Sequence, residues 1–295
     1  MAEKIALIGA GAMGGAIGTR FLETGNNLRV FDLDKEKVAE LVAKGGVAAG
    51  SAAEAAQGVD FVVTSLNSSR IVESAAFGDG GIAHGAAPGT LIIDMSSIEP
   101  DATRRFAEQA KANGLAWVDS PLSGGAPKAL VGELTLMLGG AEADVDRAKI
   151  ALGHVAKNMT HMGGPGAGQT TKMINQVLCG LGFLAVAEAT QLALDSGVDA
   201  KKIPQALKGG RADSALLQEY MPRFATKDYR RTGRIDNMVK DLNMVNDLSR
   251  QTGTSMPMTA LCTEIHRMLT AAGLGGEDQA AVMEFFRGAK EEFGT

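Results

Sequence analysis

One lysine and two amides share a predicted helix face in the middle of the chain. The stretch from Gly166 to Leu194 is long, apolar and free of proline, and Lys172 is its only basic side chain. Asn175 and Gln176 follow three and four residues later, so a helix places all three side chains together. Gly168, one turn before Lys172, is expected to leave room for a ligand. A core helix whose lysine reaches out to solvent has the same pattern, and the helix alone favours that interpretation.

A glycine-rich turn near the N-terminus has the spacing of a nucleotide-binding loop. An apolar run at residues 5–8 leads into GAGAMG, which matches G-x-G-x-x-G, and helix formers follow as far as Glu23. Strand, glycine turn and helix form the context that this motif requires. Gly9 permits the tight turn, Gly11 lets the backbone approach a pyrophosphate, and Gly14 lets the helix pack on the strand. The helix N-terminus offers N–H groups and a positive dipole end to phosphates.

An acidic residue follows the second strand pattern, Leu28 to Phe31. Asp32 lies about 20 residues past the glycines, where a carboxylate binds the ribose hydroxyls of NAD. A 2′-phosphate there would meet a like charge, so the sequence favours NAD, with NADP as the alternative. Asp32 could instead cap a helix that starts near Asp34.

Polar residues also follow the later strand patterns. Phe61 to Thr64 leads into Ser65-Leu66-Asn67-Ser68, and Thr90 to Ile93 leads into Asp94-Met95-Ser96-Ser97. Ligands on parallel sheets bind at the carboxyl ends of the strands. Ser96 is as well placed to cap the helix near Pro100 as to contact a cofactor. The expected cofactor contacts are Gly9, Gly11, Ala12, Met13, Gly14, Asp32, Leu66, Asn67 and Ser96.

A second glycine pair suits an anion. Ser123, Gly124 and Gly125 combine a hydroxyl with backbone N–H groups that no side chain covers, and such a nest fits a carboxylate. A plain glycine turn is the alternative.

Two kinds of structure must position these residues. Strand and helix patterns alternate in the first half, and the second half reads as helix, with a kink or boundary expected at Pro222. The sequence therefore predicts an α/β fold: an N-terminal Rossmann doubly wound sheet over residues 1–164 and an all-α domain over residues 165–295. The long helix is expected to join them, with Lys172 facing the cleft between.

Composition narrows the partners and the compartment. The net charge is −5 and no long basic run occurs, which argues against nucleic acid. Cys179 and Cys262 lack paired spacing, so we expect a reducing cytoplasm and neither a disulfide framework nor a metal site. No signal-peptide layout opens the chain, and the glycine-interrupted segment 177–187 is judged too short to span a bilayer. The helical half carries few charges, so a homodimer or homotetramer is expected.

The ordered motifs KIALIGAGAMGG, DMSS, DSPLSGG, GxGQTTKMINQ and VKDL resemble the β-hydroxyacid dehydrogenases over essentially the whole chain. The resemblance implies a Rossmann domain, a long interdomain helix and an all-helical C-terminal domain. It also implies reversible oxidation of a small 3-hydroxy acid at C3 with NAD or NADP. It assigns the catalytic lysine to Lys172, the substrate-carboxylate loop to Ser123, Gly124 and Gly125, the nicotinamide-side serine to Ser96, and a late cofactor contact to Lys240.

Some motifs are similar to one branch of that family. SGGAPKA and KMINQ resemble the tartronate semialdehyde reductases, whereas the 3-hydroxyisobutyrate dehydrogenases form another branch. Two features depart from the family pattern: Arg211 and Asp213 in the loop after residue 208, and Asn67 where proline is frequent. Both leave the identity of the acid open.

The resemblance implies a mechanism and leaves two rivals. Lys172 takes the hydroxyl proton in oxidation and supplies it in reduction. Asn175 orients Lys172 or bonds the substrate, and Gln176 can replace it in that role. An imine reductase on the same fold usually lacks the lysine, and a non-catalytic NAD-binding sensor would lack the lysine or the carboxylate loop.

Overall fold

The computed structural model describes residues 2–287, and the chain divides into two compact units between Lys172 and Met173. The first unit contains a nine-stranded sheet with helices, and the second is helical. The predicted fold class, a Rossmann-type sheet followed by an all-α region, is confirmed. The exact domain boundary at residue 164 stays a prediction of the sequence.

The carboxyl ends of the central parallel strands lie side by side at one edge of the sheet. Its order is β3-β2-β1-β4-β5-β6-β8-β7, with β9 beside β8, and strands β1 to β6 pair in parallel. Ile8 pairs with Phe31 and Thr64, and Asp94 pairs with Thr64 and Asp119, so these strands end together. The strands are β1 (Lys4–Ile8), β2 (Asn27–Phe31), β3 (Val47–Ala48), β4 (Phe61–Thr64), β5 (Leu91–Asp94), β6 (Ala116–Asp119), β7 (Leu122–Ser123), β8 (Leu134–Gly139) and β9 (Ala156–Gly163).

Apolar side chains fill both faces of this sheet. Leu7 and Phe21 belong to one buried cluster, and Ala6, Phe106 and Trp117 belong to the other. The apolar runs of the central strands are buried on both sides because helices cover both faces of a parallel sheet. The helices of this unit are α1 (Ala12–Glu23), α2 (Lys35–Val42), α3 (Ala52–Ala55), α4 (Ser69–Phe77), α5 (Pro100–Ala112), α6 (Gly125–Leu130) and α7 (Glu142–Leu152).

The second unit packs helices around a single main core. Phe183, Tyr220 and Phe224 lie in this core. The helix expected to kink or end at Pro222 runs through it, because the buried residues beside the proline, Met221 and Phe224, hold the helix by packing despite the lost N–H. After α8 (Ala167–Asp195), which begins in the first unit, come α9 (Ile203–Leu207), α10 (Ala215–Thr226), α11 (Ile235–Thr252), α12 (Pro257–Leu269) and α13 (Met283–Phe286).

Segment 177–187 lies within α8, which is 29 residues long, so the shortness of that segment does not decide whether the helix could cross a membrane, and the absence of a membrane partner stays a prediction. By length and composition α8 is long and apolar enough to cross a membrane, and 33% of its most apolar window is buried. Core helices of soluble proteins meet the same criteria. Gly180 and Gly182 do not interrupt α8, because they give room to Leu242 and Leu216 at close range.

Candidate active site

The first predicted glycine turn forms a rigid, open cradle. Gly9 has φ of +96°, its N–H donates to the Phe31 carbonyl at 2.9 Å, and a Cβ there would lie 2.4 Å from the Ser65 carbonyl oxygen. A Cβ on Gly14 would lie 1.9 Å from the Gly9 oxygen, so both positions require glycine. A Cβ on Gly11 would meet no heavy atom within 4 Å, and no side chain caps α1. The open side of the turn and the uncapped N–H groups fit a pyrophosphate.

Asp32 is fixed beside this cradle. Its Oδ2 accepts from the Ala10 N–H at 2.6 Å, and its Oδ1 accepts from the Asp34 N–H at 2.8 Å. The alternative that Asp32 caps the next helix is wrong, because α2 starts at Lys35 and its cap is the Asp34 side chain. Each carboxylate oxygen keeps a further lone pair, so the residue fits the ribose hydroxyls of a dinucleotide.

The loops after β4 and β5 are joined by Ser96. Its hydroxyl accepts from the Leu66 N–H at 3.0 Å, and its own N–H donates to Asp94 Oδ1 at 3.1 Å. The alternative that Ser96 caps a helix is wrong, because α5 begins at Pro100 with Glu99 as its cap residue and no side-chain capping bond. Ser96 is buried and Leu66 half-buried, whereas Asn67 is exposed next to them.

Asp94 is a buried carboxylic acid under these loops. Its Oδ1 accepts from the Thr64 hydroxyl at 2.7 Å, and its Oδ2 has no hydrogen-bond partner in the described part of the chain. Burial raises the pKa of Asp94 to about 6, although the hydrogen bonds from Ser96 and Thr64 oppose that rise.

The predicted carboxylate loop lies in the same unit. Ser123 ends β7, a short edge strand, where it pairs with Thr135 of β8. Gly124 and Gly125 have φ of +122° and +67°, and α6 starts at Gly125. Helix α6 contacts α1, the helix that follows the glycine cradle.

A buried aspartate holds the first turn of α8. Asp119 Oδ1 accepts from the Gly166 N–H at 2.8 Å, and Oδ2 accepts from the Gln169 N–H at 2.9 Å. Burial raises the pKa of Asp119, and these N–H donors oppose the rise. Gly168 leaves no room for a ligand, contrary to expectation: a Cβ there would lie 2.3 Å from the Met137 oxygen and 2.7 Å from Asp119 Oδ2. Protein atoms fill that space.

Gln169 connects this turn to the Ser96 loop. Its Nε2 donates to the Ser96 carbonyl at 2.8 Å, and its Oε1 accepts from the Ile98 N–H at 3.2 Å. The side chain is buried, and Lys172 follows three residues later, half-buried. The sequence analysis missed both Gln169 and Asp119. The available signals were a polar residue one turn before Lys172 and an aspartate at the end of an apolar strand.

In the second unit, the predicted amides meet the predicted late motif. Asn175 Nδ2 donates to Gln176 Oε1 at 2.9 Å, and Gln176 Nε2 donates to Asp241 Oδ2 at 2.6 Å. The Lys240 ammonium lies 3.4 Å from Asp241 Oδ1. Asn175, Gln176 and Lys240 therefore form one connected group around the buried Asp241.

In the loop before α10, the carboxylate of Asp213 is hydrogen-bonded to the backbone of the same loop. Asp213 accepts from the Gly209 N–H at 2.7 Å and from Gln218 Nε2 at 2.6 Å. The Gly209 bond, followed by the Gln218 bond, lowers the pKa of Asp213. Asp213 thus closes its own loop, while Arg211 is exposed.

Comparisons with known proteins agree over most of the chain, from residue 4 to residue 286. The family model for the NAD binding domain of 6-phosphogluconate dehydrogenase matches residues 4–164, and the model for NAD-binding of NADP-dependent 3-hydroxyisobutyrate dehydrogenase matches residues 166–286. An NAD-dependent L-serine dehydrogenase of Pseudomonas aeruginosa is 34% identical, covering 96% of this chain and 98% of that protein. A 2-hydroxy-3-oxopropionate reductase of Escherichia coli is 33% identical, covering 95% and 96%.

Solved structures give the same result. The 3-hydroxyisobutyrate dehydrogenase of Mycobacterium tuberculosis with L-serine has a TM-score of 0.89 at 28% identity, covering 98% of this chain and 100% of that one. An imine reductase from a Pseudomonas species has a TM-score of 0.64 at 20% identity, covering 97% and 100%. That more distant likeness shows a shared fold alone.

Proposed function

This chain belongs to the β-hydroxyacid dehydrogenases, and we propose that Lys172 moves the proton in the reaction of that family. The protein is an oxidoreductase that transfers a hydride between NAD(P) and C3 of a small 3-hydroxy acid. The observation that carries the proposal is the hydrogen-bonded rim of the first unit, which runs from the Leu66 N–H through Ser96 and Gln169 to the turn that bears Lys172.

The proposed proton transfer takes place at the C3 oxygen. A bound nicotinamide supplies the hydride chemistry. In oxidation Lys172, as the free amine, accepts the hydroxyl proton while hydride leaves C3. In reduction its ammonium donates a proton to the developing alkoxide and stabilises the negative charge there.

Neighbouring groups hold the substrate in line. Ser123 and the backbone N–H groups of Gly124 and Gly125 bind the carboxylate, because a hydroxyl and an uncovered glycine backbone suit an anion. Asn175 bonds the substrate or orients Lys172, and its amide is set by Gln176, which is in turn bonded to Asp241. Fixing the acid at its carboxylate orients C3, which is a large part of the rate enhancement.

We propose NAD as the preferred cofactor. The support is Asp32, whose carboxylate is held next to the glycine turn by the Ala10 N–H. A 2′-phosphate would face this negative charge at short range, so NADP should bind less well. Lys240 is proposed as a further cofactor contact and Asn67 as one at the exposed loop edge.

For the substrate we propose tartronate semialdehyde, with D-glycerate as its reduced form. The support is the pair of motifs SGGAPKA and KMINQ, together with the 33% identity to a 2-hydroxy-3-oxopropionate reductase. L-serine is the second candidate, because similar proteins carry that acid in their names. 3-Hydroxyisobutyrate is the third.

A substrate panel tests the proton-transfer role. D-glycerate, 3-hydroxyisobutyrate, 3-hydroxypropionate, L-serine and L-threonate are assayed with NAD and with NADP, on the wild type, Lys172→Ala and the exposed-lysine control Lys111→Ala. We expect one acid to be turned over, with a loss of about 10²- to 10⁴-fold in Lys172→Ala and none in the control. Turnover that survives in Lys172→Ala would remove this lysine from proton transfer.

The same panel tests the cofactor assignment. In Asp32→Ala the preference for NAD over NADP should shrink, because the charge that repels the 2′-phosphate is gone. The ratio of kcat/KM for the two cofactors is the measurement. An unchanged ratio would mean that Asp32 serves only to fix the glycine turn.

A further inference from the structure

We propose that Gln169 is a positioning residue, a two-bond latch that sets the lysine-bearing turn of α8 against the Ser96 loop. The inference rests on the proposed role of Lys172. The latch is defined as the Gln169 carboxamide with its two backbone partners, the Ser96 carbonyl and the Ile98 N–H.

Both polar atoms of the Gln169 carboxamide are hydrogen-bonded to the Ser96 loop. The Gln169 Nε2 lies 2.8 Å from the Ser96 carbonyl oxygen, and its Oε1 lies 3.2 Å from the Ile98 nitrogen. The residue is 1% exposed. Because the two backbone groups are two residues apart, a carboxamide in one orientation satisfies both. An apolar side chain would leave both without a partner.

Both ends of the latch are held independently. On the loop side, the Ser96 hydroxyl accepts from the Leu66 N–H and the Ser96 N–H donates to Asp94. On the helix side, the Gln169 N–H donates to Asp119, which also accepts from the Gly166 N–H. Strands β5 and β6 already link Asp94 to Asp119 and Ser120, and the Gln169 side chain adds two bonds that join the α8 turn directly to the Ser96 loop.

The position of Gln169 in α8 connects the latch to Lys172. Gln169 precedes Lys172 by three residues, which places the two side chains on neighbouring positions of one helix face. Ser96 is the assigned nicotinamide-side residue. The latch therefore fixes the base of the lysine side chain relative to the loop that would hold the nicotinamide, and loosening it should slow the chemical step more than it weakens binding.

Two variants and one control separate positioning from simple stability. Gln169→Leu removes both bonds, and Gln169→Glu keeps them only when the new carboxyl is protonated. Gln279→Leu is the matched control, because Gln279 is also a buried glutamine with two partners, the His266 ring and the Arg234 carbonyl, in the second unit. The readouts are kcat, KM, the NADH dissociation constant, melting temperature and the primary isotope effect with substrate deuterated at C3.

For Gln169→Leu we expect kcat to fall by about 100-fold, with a much smaller change in NADH binding. The isotope effect on kcat/KM should rise, because hydride transfer becomes the slow step. Gln279→Leu should lower the melting temperature and leave the isotope effect unchanged. The proposal is overturned if Gln169→Leu lowers the melting temperature as the control does but leaves kcat and the isotope effect at their wild-type values.

The glutamate variant keeps the test decisive if the leucine variant does not fold. A protonated carboxyl offers one donor and one acceptor like the amide, whereas an ionised one has no donor and faces the Ser96 carbonyl. The activity ratio of Gln169→Glu to wild type should therefore fall as pH rises. The ionised carboxylate of Gln169→Glu would also repel the buried carboxylates nearby, Asp94 and Asp119, and this repulsion lowers the ratio in the same direction. A ratio that does not change with pH overturns the latch.

The same measurements separate this inference from the proposed function. A wild-type enzyme whose turnover does not need Lys172 overturns the proposed function and, with it, the purpose of the latch. An enzyme that needs Lys172 but is indifferent to Gln169 overturns the latch alone.

Discussion

Asp94 lies at the end of β5 with its side chain out of solvent, and only one of its carboxylate oxygens is hydrogen-bonded among the residues described. Burial raises its pKa from 3.8 to about 6. At neutral pH the residue is therefore ionised in a site that favours the neutral acid. This cost is borne directly under the Ser96 loop, where the Thr64 hydroxyl and the Ser96 N–H donate to one oxygen of the carboxylate.

The raised pKa of Asp94 should make the free energy of unfolding depend on pH. The folded pKa lies above the unfolded one, so the favourable contribution is complete below about pH 4 and is lost as pH rises toward 6. Compared with Asp94→Asn, the wild type should lose up to about 3 kcal/mol of unfolding free energy between pH 4 and pH 7. Urea unfolding of both proteins across this range measures the difference, with the exposed-site variant Asp79→Asn as the control. A difference between Asp94→Asn and wild type that stays constant with pH contradicts the assignment.

Local patterns predict the elements that chemistry depends on. The apolar runs, the glycine spacing and Asp32 placed β1, α1, β2 and β4 near their observed bounds, because each signal lies within one element.

Long-range contacts are what the sequence did not reveal. Asp119 caps a helix turn that begins 47 residues later, and no local pattern encodes that pairing. Strand β9 was missed because most of its side chains are exposed, so the alternation that marks a half-buried strand is absent. Gly168 was misjudged for the same reason: its neighbours, Met137 and Asp119, come from elsewhere in the sheet.

The first turn of α8 should tolerate no added methyl group. In Gly168→Ala the new Cβ would press on the Met137 oxygen and on Asp119, so we expect a loss of about 1–3 kcal/mol and a lower kcat. Gly15→Ala is the matched control inside α1, where the nearest contact to a Cβ is an ordinary 3.4 Å and alanine favours the helix. Denaturant unfolding compares the two. A Gly168→Ala protein as stable as Gly15→Ala would show that the turn is not tightly packed.

At the scale of the whole molecule, α8 exposes more apolar surface than a helix facing water usually does. Ile174, Leu178 and Leu192 are 57%, 68% and 69% exposed, and Leu181 and Ala185 lie between them. Ile174, Leu178, Leu181 and Ala185 follow one another at spacings of four, three and four residues, and Leu192 comes seven residues after Ala185. These residues form one stripe at the spacing with which two helices pack together, and the exposed Glu188 interrupts it. We propose that a second copy of the chain covers this stripe, giving a homodimer or homotetramer.

Charge on the α8 stripe should dissociate the assembly. We expect the wild type to sediment at a multiple of its 30.5 kDa chain mass, and Leu178→Glu with Leu192→Glu to sediment at the chain mass, because two buried carboxylates would be unpaired in the interface. Ile150→Glu, on an exposed apolar position of α7, is the control and should leave the mass unchanged. A wild type that is monomeric in water and binds neutral phosphatidylcholine vesicles through α8 would assign the stripe to lipid instead, since the helix is also long and apolar enough for that. A monomer that ignores vesicles would leave the exposed leucines without a partner of either kind and refute the proposal.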